Sequence, residues 1–364
     1  MSEPIKVLIV DDSRIFRSLV EESLVAEPDI KIVGSVMNGV KAIDFIKNNE
    51  KPDVLTLDIN MPVMDGLETL LEVQKINESI IENRKQIGCI MLSSLTQAGS
   101  QVTIKSLDAG AFDFIPKPQD DNLTDNLSSL KSQLLEKVRM CYHYKQSNSF
   151  VQRKNLPSQQ INNNNIVIEK ASQGAVRVIA IGCSTGGPKA LLTLIPELCS
   201  KTNLPILIVQ HMPAGFTESL AESINKKSSH TVLEVQGGEK IESEHVYIAP
   251  GGKHMVVRNG IENEMVLGVN DQPPENGCRP SVDVLFRSVG TQYKDGIIAV
   301  VLTGMGTDGA KGIIPLHRAG AHIIVQNEET SVVWGMPGSA VKTGKVHEIH
   351  PIENIAAAIE RNIK

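Results

Sequence analysis

The sequence predicts two α/β domains in tandem, each a largely parallel sheet wound by helices on both faces. Three observations carry this. Short, β-branched, nearly continuous apolar runs alternate along the chain with stretches of helical spacing, the pattern of strands buried on both faces of a parallel sheet. The 364 residues exceed what one hydrophobic core organises; at roughly 150 residues per domain they give about two. A polar stretch over 145–172, with an asparagine run from Asn162 to Asn165, separates two such series. Four consecutive asparagines bury nothing, so a flexible linker is expected there.

Composition narrows the class. Apolar residues make up 41% and charged residues 21%, which is ordinary globular usage and excludes disorder throughout. With 36 basic and 42 acidic residues the net charge is −6, which argues against a nucleic-acid binder acting through overall basicity and leaves only a local basic patch open. No apolar stretch reaches the roughly 18 residues of a membrane span. The start of the chain puts Asp11 and Asp12 directly after its apolar run and offers no small-residue cleavage site. Cys89, Cys141, Cys183, Cys199 and Cys278 lack CxxC or zinc-ligand spacing and are expected as free buried thiols of a reducing compartment. A soluble, cytoplasmic, monomeric protein is the expectation.

The first domain, 1–122, is expected as a flavodoxin-like, five-stranded parallel sheet. Its runs are Lys6–Val10, Ile32–Val36, Val54–Leu57, Ile90–Leu92 and Phe112–Ile115. Between the first two, Ile15, Phe16, Leu19 and Val20 fall at helical spacing behind Ser13, a suitable N-cap. Ala42, Ile43 and Ile46 repeat the pattern. Over 123–172 a connecting helix (Leu123, Leu127, Leu130, Leu134, Leu135, Val138) leads into the Asn/Gln-rich linker. The second domain, 173–364, offers Val176–Ile181, Ile206–Val209, Val232–Val235, Val246–Ala249, Ile297–Leu302 and Ile323–Val325, then a terminal helix over Ile352–Ile363.

In the first domain, Asp11 and Asp12 follow the first strand and Asp58 ends the third. In a 2-1-3-4-5 strand order these strands are neighbours, and ligands gather at their carboxyl ends. Converging carboxylates repel and call for a hard divalent cation such as Mg²⁺. Lys117 adds a positive charge at the same edge and Ser93 a hydroxyl. The set formed by the Asp pair, Asp58-x-x-Met61-Pro62-x-Met64-Asp65-Gly66, Ser93-Ser94 and Lys117-Pro118 resembles the receiver domain of bacterial response regulators over 1–120. That resemblance implies that Asp58 is the phosphoacceptor. It implies that Asp12, Asp58 and the Asn60 backbone carbonyl hold Mg²⁺ with Asp11 nearby, and that Ser93 and Lys117 contact the phosphoryl oxygens. Phe114 fills the aromatic switch position, and the Lys117–Pro118 bond is expected to be cis.

In the second domain the first strand ends in Gly182-Cys183-Ser184-Thr185-Gly186-Gly187-Pro188. A serine on such a strand-to-helix turn stands free, beside amides able to hold an oxyanion. A phosphate-binding loop fails here, because Pro188 stands where that loop needs lysine. His211 ends the next strand, and Asp308 follows Ile297–Leu302 in Thr303-Gly304-Met305-Gly306-Thr307-Asp308-Gly309. Ser184, His211 and Asp308 thus sit at three strand ends that one crevice can join, as a nucleophile, its base and an orienting acid require. The order Ser, His, Asp differs from that of the α/β-hydrolases. His230, His245, His254 and the His347/His350 pair are expected to be structural or surface residues.

Together with Gln210-His211-Met212-Pro213, Tyr247–Gly252, Arg279–Val289 and Trp334–Gly338, these segments resemble the chemotaxis protein-glutamate methylesterase (CheB) family across nearly the whole chain outside the linker. The resemblance implies Ser184 as nucleophile, His211 as general base and Asp308 as its orienter. It also implies a Met305 backbone amide in the oxyanion hole, with Thr185 beside the nucleophile. It implies hydrolysis of glutamate γ-methyl esters on the cytoplasmic helices of chemoreceptors, releasing methanol, with deamidation of receptor glutamines as a companion activity and no cofactor for the ester step. A chemotaxis-type histidine kinase is the implied phosphodonor, and the unphosphorylated receiver is expected to cover the crevice. Nucleic acid and membrane insertion are not expected. Two other classes stay in view: a response regulator whose second domain only binds a partner, and a DNA-binding regulator, which lacks any helix-turn-helix pattern or basic helix in 175–364.

Overall fold

The computed structural model describes residues 3–82, 85–118, 123–151, 175–261 and 264–363, with side chains at 123–126 and 147–151 left out. The chain divides into two compact units, Met1–Gln159 and Gln160–Lys364. The expected linker stretch 152–172 lies outside the described residues.

In the first unit, β1 (Ile5–Val10), α1 (Arg14–Val25), β2 (Ile30–Val36), α2 (Gly39–Asn48), β3 (Val54–Asp58), α3 (Gly66–Glu78), β4 (Gly88–Ser93), α4 (Gln97–Asp108), β5 (Asp113–Pro116) and α5 (Leu123–Val151) alternate. The strands form one parallel sheet in the order β2-β1-β3-β4-β5. All five residues of β3 are buried, as the apolar run requires. Ser13 caps α1, its hydroxyl accepting from the Phe16 amide at 3.3 Å. At the start of α3, Asp65 and Glu68 form a capping box.

The α5 helix differs from the expected connector. It packs on α1, β4 and β5, and Leu130, Leu134, Val138 and Cys141 join the first core. The i, i+4 spacing that signalled a helix also supplies the apolar face that covers this sheet. Lys145, inside the stretch expected as linker, is buried and donates to the carbonyls of Asp53 and Gln86.

The second unit contains β6 (Val178–Cys183), α6 (Gly187–Cys199), β7 (Ile206–Gln210), α7 (Phe216–Asn225), β8 (Thr231–Glu234), β9 (His245–Ile248), β10 (His254–Asn259), β11 (Met265–Asn270), α8 (Val282–Tyr293), β12 (Ile297–Val301), α9 (Ile313–Arg318), β13 (His322–Gln326), α10 (Gly335–Lys342), β14 (Glu348–His350) and α11 (Ile352–Ile363). Seven strands pair in parallel in the order β14-β13-β12-β6-β7-β9-β8. The chain leaves β6 toward β7 on one side and returns by β12 on the other, so the sheet's switch point lies at the carboxyl end of β6. An antiparallel hairpin, β10 with β11, stands outside this sheet.

Candidate active site and phosphoacceptor site

The switch point brings the second unit's polar residues together. The Ser184 amide donates to the Thr303 carbonyl at 3.0 Å, and the His211 amide donates to the Cys183 carbonyl at 3.1 Å. The ends of β6, β7 and β12 are thereby tied side by side. Gly304 lets two backbones meet: a Cβ there would stand 2.8 Å from the Ser184 Cβ and 2.4 Å from the Met336 sulfur. Met305, the expected oxyanion donor, follows this contact directly, and the Thr185 carbonyl accepts from the Thr303 hydroxyl at 3.0 Å.

Gln210 is a buried tie that sequence reasoning missed. Its Nε2 donates to the carbonyls of Ser184 (3.0 Å) and His211 (3.2 Å), while its Oε1 accepts from the Cys183 thiol at 3.1 Å. A glutamine ending an otherwise apolar strand was the available signal, because a buried amide must find partners.

His211 Nε2 lies 2.8 Å from Asp308 Oδ2. Asp308 is buried and saturated with donors. Its Oδ2 also accepts from the Val282 amide at 2.7 Å. Its Oδ1 accepts from the amides of Asp283 (3.0 Å) and Gly309 (3.1 Å), the Ser281 hydroxyl (2.9 Å) and Asn276 Nδ2 (3.1 Å). Val282 and Asp283 open α8, so the carboxylate sits at a helix N-terminus, where backbone dipoles favour an anion. Burial raises the pKa of Asp308, but its bond to His211 and these amides outweigh burial and bring it down to about 2. Burial disfavours a charged His211, yet Asp308 and the Cys278 thiol together push its pKa up to about 9.

Cys278 corrects the expectation of five buried thiols. The other four are buried, whereas Cys278 is half-buried, with its sulfur within 4.8 Å of ligand atoms on His211 and Asp308. Histidines 230 and 254 are structural as expected. His230 Nε2 faces the Thr202 carbonyl at 2.8 Å, and His254 Nδ1 accepts from the Ser281 amide at 3.2 Å. His347 and His350 are structural as well. His347 stacks on His322 and His317 at 4.7 and 5.4 Å, and His350 pairs with Glu348 at 2.6 Å.

The first unit gathers its polar residues where β1 and β3 adjoin. Lys117 Nζ lies 2.7 Å from Asp11 Oδ2 and 2.8 Å from Asp58 Oδ1. Carboxylate oxygens of Asp11, Asp12 and Asp58 lie within 4.8 Å of one another, a set of hard donors that fits Mg²⁺. Burial raises the Asp58 pKa to about 6 against the opposing pull of Lys117. Asn60, whose amide also bonds Asp58, follows two residues later. Phe114 is buried.

Ser93 rests on a protein partner here, and one expectation differs. The Ser93 hydroxyl is turned toward α4, accepting from Thr103 Oγ1 at 2.7 Å and donating toward the Gly99 carbonyl at 3.4 Å. The reason is local: Thr103, nearly two turns into α4, offers a buried partner. Lys117–Pro118 is not cis, since Arg279–Pro280 is the cis bond found among the described residues. A trans bond suffices to deliver Lys117, whose amide pairs with the Ser93 carbonyl at 2.7 Å as an extension of the strand pairing.

Residues 179–359 match the sequence model of the CheB methylesterase family, and residues 7–128 match that of the response regulator receiver domain. A protein-glutamate methylesterase/protein-glutamine glutaminase of Desulfotalea psychrophila is 40% identical over 99% of both chains. One from Bacillus subtilis is 41% identical, again over 99% of both. The catalytic domain of Thermotoga maritima CheB methylesterase is 36% identical and superposes with a TM-score of 0.50, covering 52% of this chain and 100% of that one. The chain belongs to the protein-glutamate methylesterase/protein-glutamine glutaminase family, a receiver domain followed by a CheB methylesterase domain.

Proposed function

We propose that this chain hydrolyses glutamate γ-methyl esters on chemoreceptors with Ser184 as nucleophile, under control of phosphorylation at Asp58. The observation that carries the reading is the His211–Asp308 pair at the sheet's switch point, one strand from Ser184. Ser184 Oγ attacks the ester carbonyl while His211 takes its proton. Asp308 stabilises the imidazolium that forms. The Met305 amide and the turn around Thr185 hold the tetrahedral oxyanion. His211 returns the proton to the leaving methoxide, methanol departs, and water activated by His211 clears the acyl enzyme. A glutamine amide passes through the same intermediate and releases ammonia, so deamidation accompanies the ester reaction.

In the receiver, Asp58 accepts a phosphoryl group from a chemotaxis-type histidine kinase. Asp12, Asp58 and the Asn60 carbonyl would hold Mg²⁺, which would supply positive charge against the phosphoryl oxygens. Lys117 moves from its bridge between Asp11 and Asp58 to pair with the phosphoryl group, and Ser93, rotated away from Thr103, donates to it. A second domain that only binds a partner is not favoured, since relatives matching end to end carry enzyme names.

Active-site labelling tests the nucleophile. A serine-directed fluorophosphonate should modify Ser184 alone, with labelling slowed at least tenfold in His211→Gln. Labelling at another serine, or full-rate labelling without His211, would overturn the assignment.

A further inference from the structure

Behind the His211–Asp308 pair stands a second buried carboxyl group, Asp283, in α8. Two carboxylates so placed in a low-dielectric site resist joint ionisation, and one proton shared between them relieves the repulsion. The donor between them is Asn276. Its Nδ2 lies 2.9 Å from Asp283 Oδ2 and 3.1 Å from Asp308 Oδ1, one N–H for each.

The chain is bent to deliver that amide. Asn276 and Gly277 have φ of 52° and 76°, the mirror-image turn that Asn-Gly suits best. The turn closes through reciprocal backbone bonds between Glu275 and Cys278, at 3.1 and 2.9 Å. Glu275 makes a bidentate pair with Arg287 of α8, which anchors the turn to the helix that carries Asp283.

We propose that Asn276 is a positioning residue for the hydrolysis: its amide keeps Asp283 from sharing a proton with Asp308, so that Asp308 faces His211 as a full anion. This rests on the catalytic reading of His211 and Asp308. The ionisable groups around the pair are His211 after β7, Glu275 and Cys278 on the turn, Asp283 and Arg287 on α8, and Lys311 beyond β12. Without the amide, Asp283 takes a proton from solvent and donates it toward Asp308. One negative charge is then spread over two carboxyl groups, and His211 becomes a weaker base.

The test is a ring-proton NMR titration of His211 in the full chain, with the signal assigned by its loss in His211→Gln. Asn276→Gly is the variant to use, because glycine adopts the same φ without strain. It should lower the proton affinity of His211 about tenfold and reduce kcat with KM unchanged. In an Asp283→Asn background the same substitution should change that affinity less than about twofold, because the competing carboxyl is gone. Asp283→Asn alone should leave His211 as basic as before, which keeps the idea testable if Asn276→Gly does not fold. An unmoved titration in Asn276→Gly, an equal shift in both backgrounds, or a weaker base in Asp283→Asn would overturn the proposal while leaving His211 catalytic. Hydrolysis that survives in His211→Gln would instead overturn the catalytic reading on which it rests.

Discussion

His211 meets Asp308 through Nε2, at 2.8 Å, and Cys278 makes a second side-chain hydrogen bond to the same ring. The carboxylate is held by backbone amides of α8 and its own turn, so the imidazole leans on a fixed anion. An ion pair so supported makes His211 a strong base, which is a demand on the working pH as well as an aid to catalysis.

With the His211 pKa near 9, the neutral base grows tenfold per pH unit up to that value. Ester hydrolysis should therefore rise through neutral pH and level off above about 9. Asp308→Asn should move this limb to lower pH and cut the plateau about 10²-fold or more. A pH series of kcat/KM on both proteins checks it.

The same pair has a stability signature. His211 is raised above its unfolded value near 6.5, so its contribution is complete below that pH and is lost as pH climbs through about 9. Asp308 is depressed from 3.8 to about 2, so its contribution is present above 3.8 and fades toward 2. Melting temperatures of wild type and His211→Ala should differ most between about pH 4 and 6.5 and converge above 9.

At the far edge of the second sheet, His347 is half-buried against His322 and His317, and its pKa falls to about 4. Unfolding frees it to bind a proton, so the stability it supplies is present above about 6.5 and is lost as pH falls toward 4. His347→Gln should flatten the acid side of the melting-temperature curve between pH 6.5 and 4.

Gln210 ties the Ser184 turn to the His211 strand end. Gln210→Leu leaves the Ser184 and His211 carbonyls without that donor and should cost about 1–3 kcal/mol of stability. Its kcat should fall while KM holds, because the tie sets the approach of nucleophile to base. Denaturant melts and steady-state kinetics on the same protein separate the two effects.

Much of this arrangement was legible because the chemistry sits at strand ends, and the strands are apolar on both faces. Asp11, Asp58, Ser184 and His211 each follow a run whose β-branched residues need a sheet on either side. What escaped had weaker local signals. The β10–β11 hairpin is only half-buried and is interrupted by Arg258 and Gly268, and β14 spans three residues. The helix α5 was visible, but which surface its leucines cover is a tertiary matter. Asn276 and Cys278 act through a turn whose ends are fixed by contacts with α8, and no periodicity reports that. The Ser93 hydroxyl follows Thr103, a partner ten residues away that sequence spacing does not single out.

Methanol release from methylated chemoreceptor membranes, with and without a small-molecule phosphodonor, tests the central claim most directly. Wild type should release methanol faster with phosphodonor, Asp58→Asn should lose that increase, and Ser184→Ala should release none under either condition. Release from Ser184→Ala at the wild-type rate, or no release from folded wild type on any receptor tried, would contradict it.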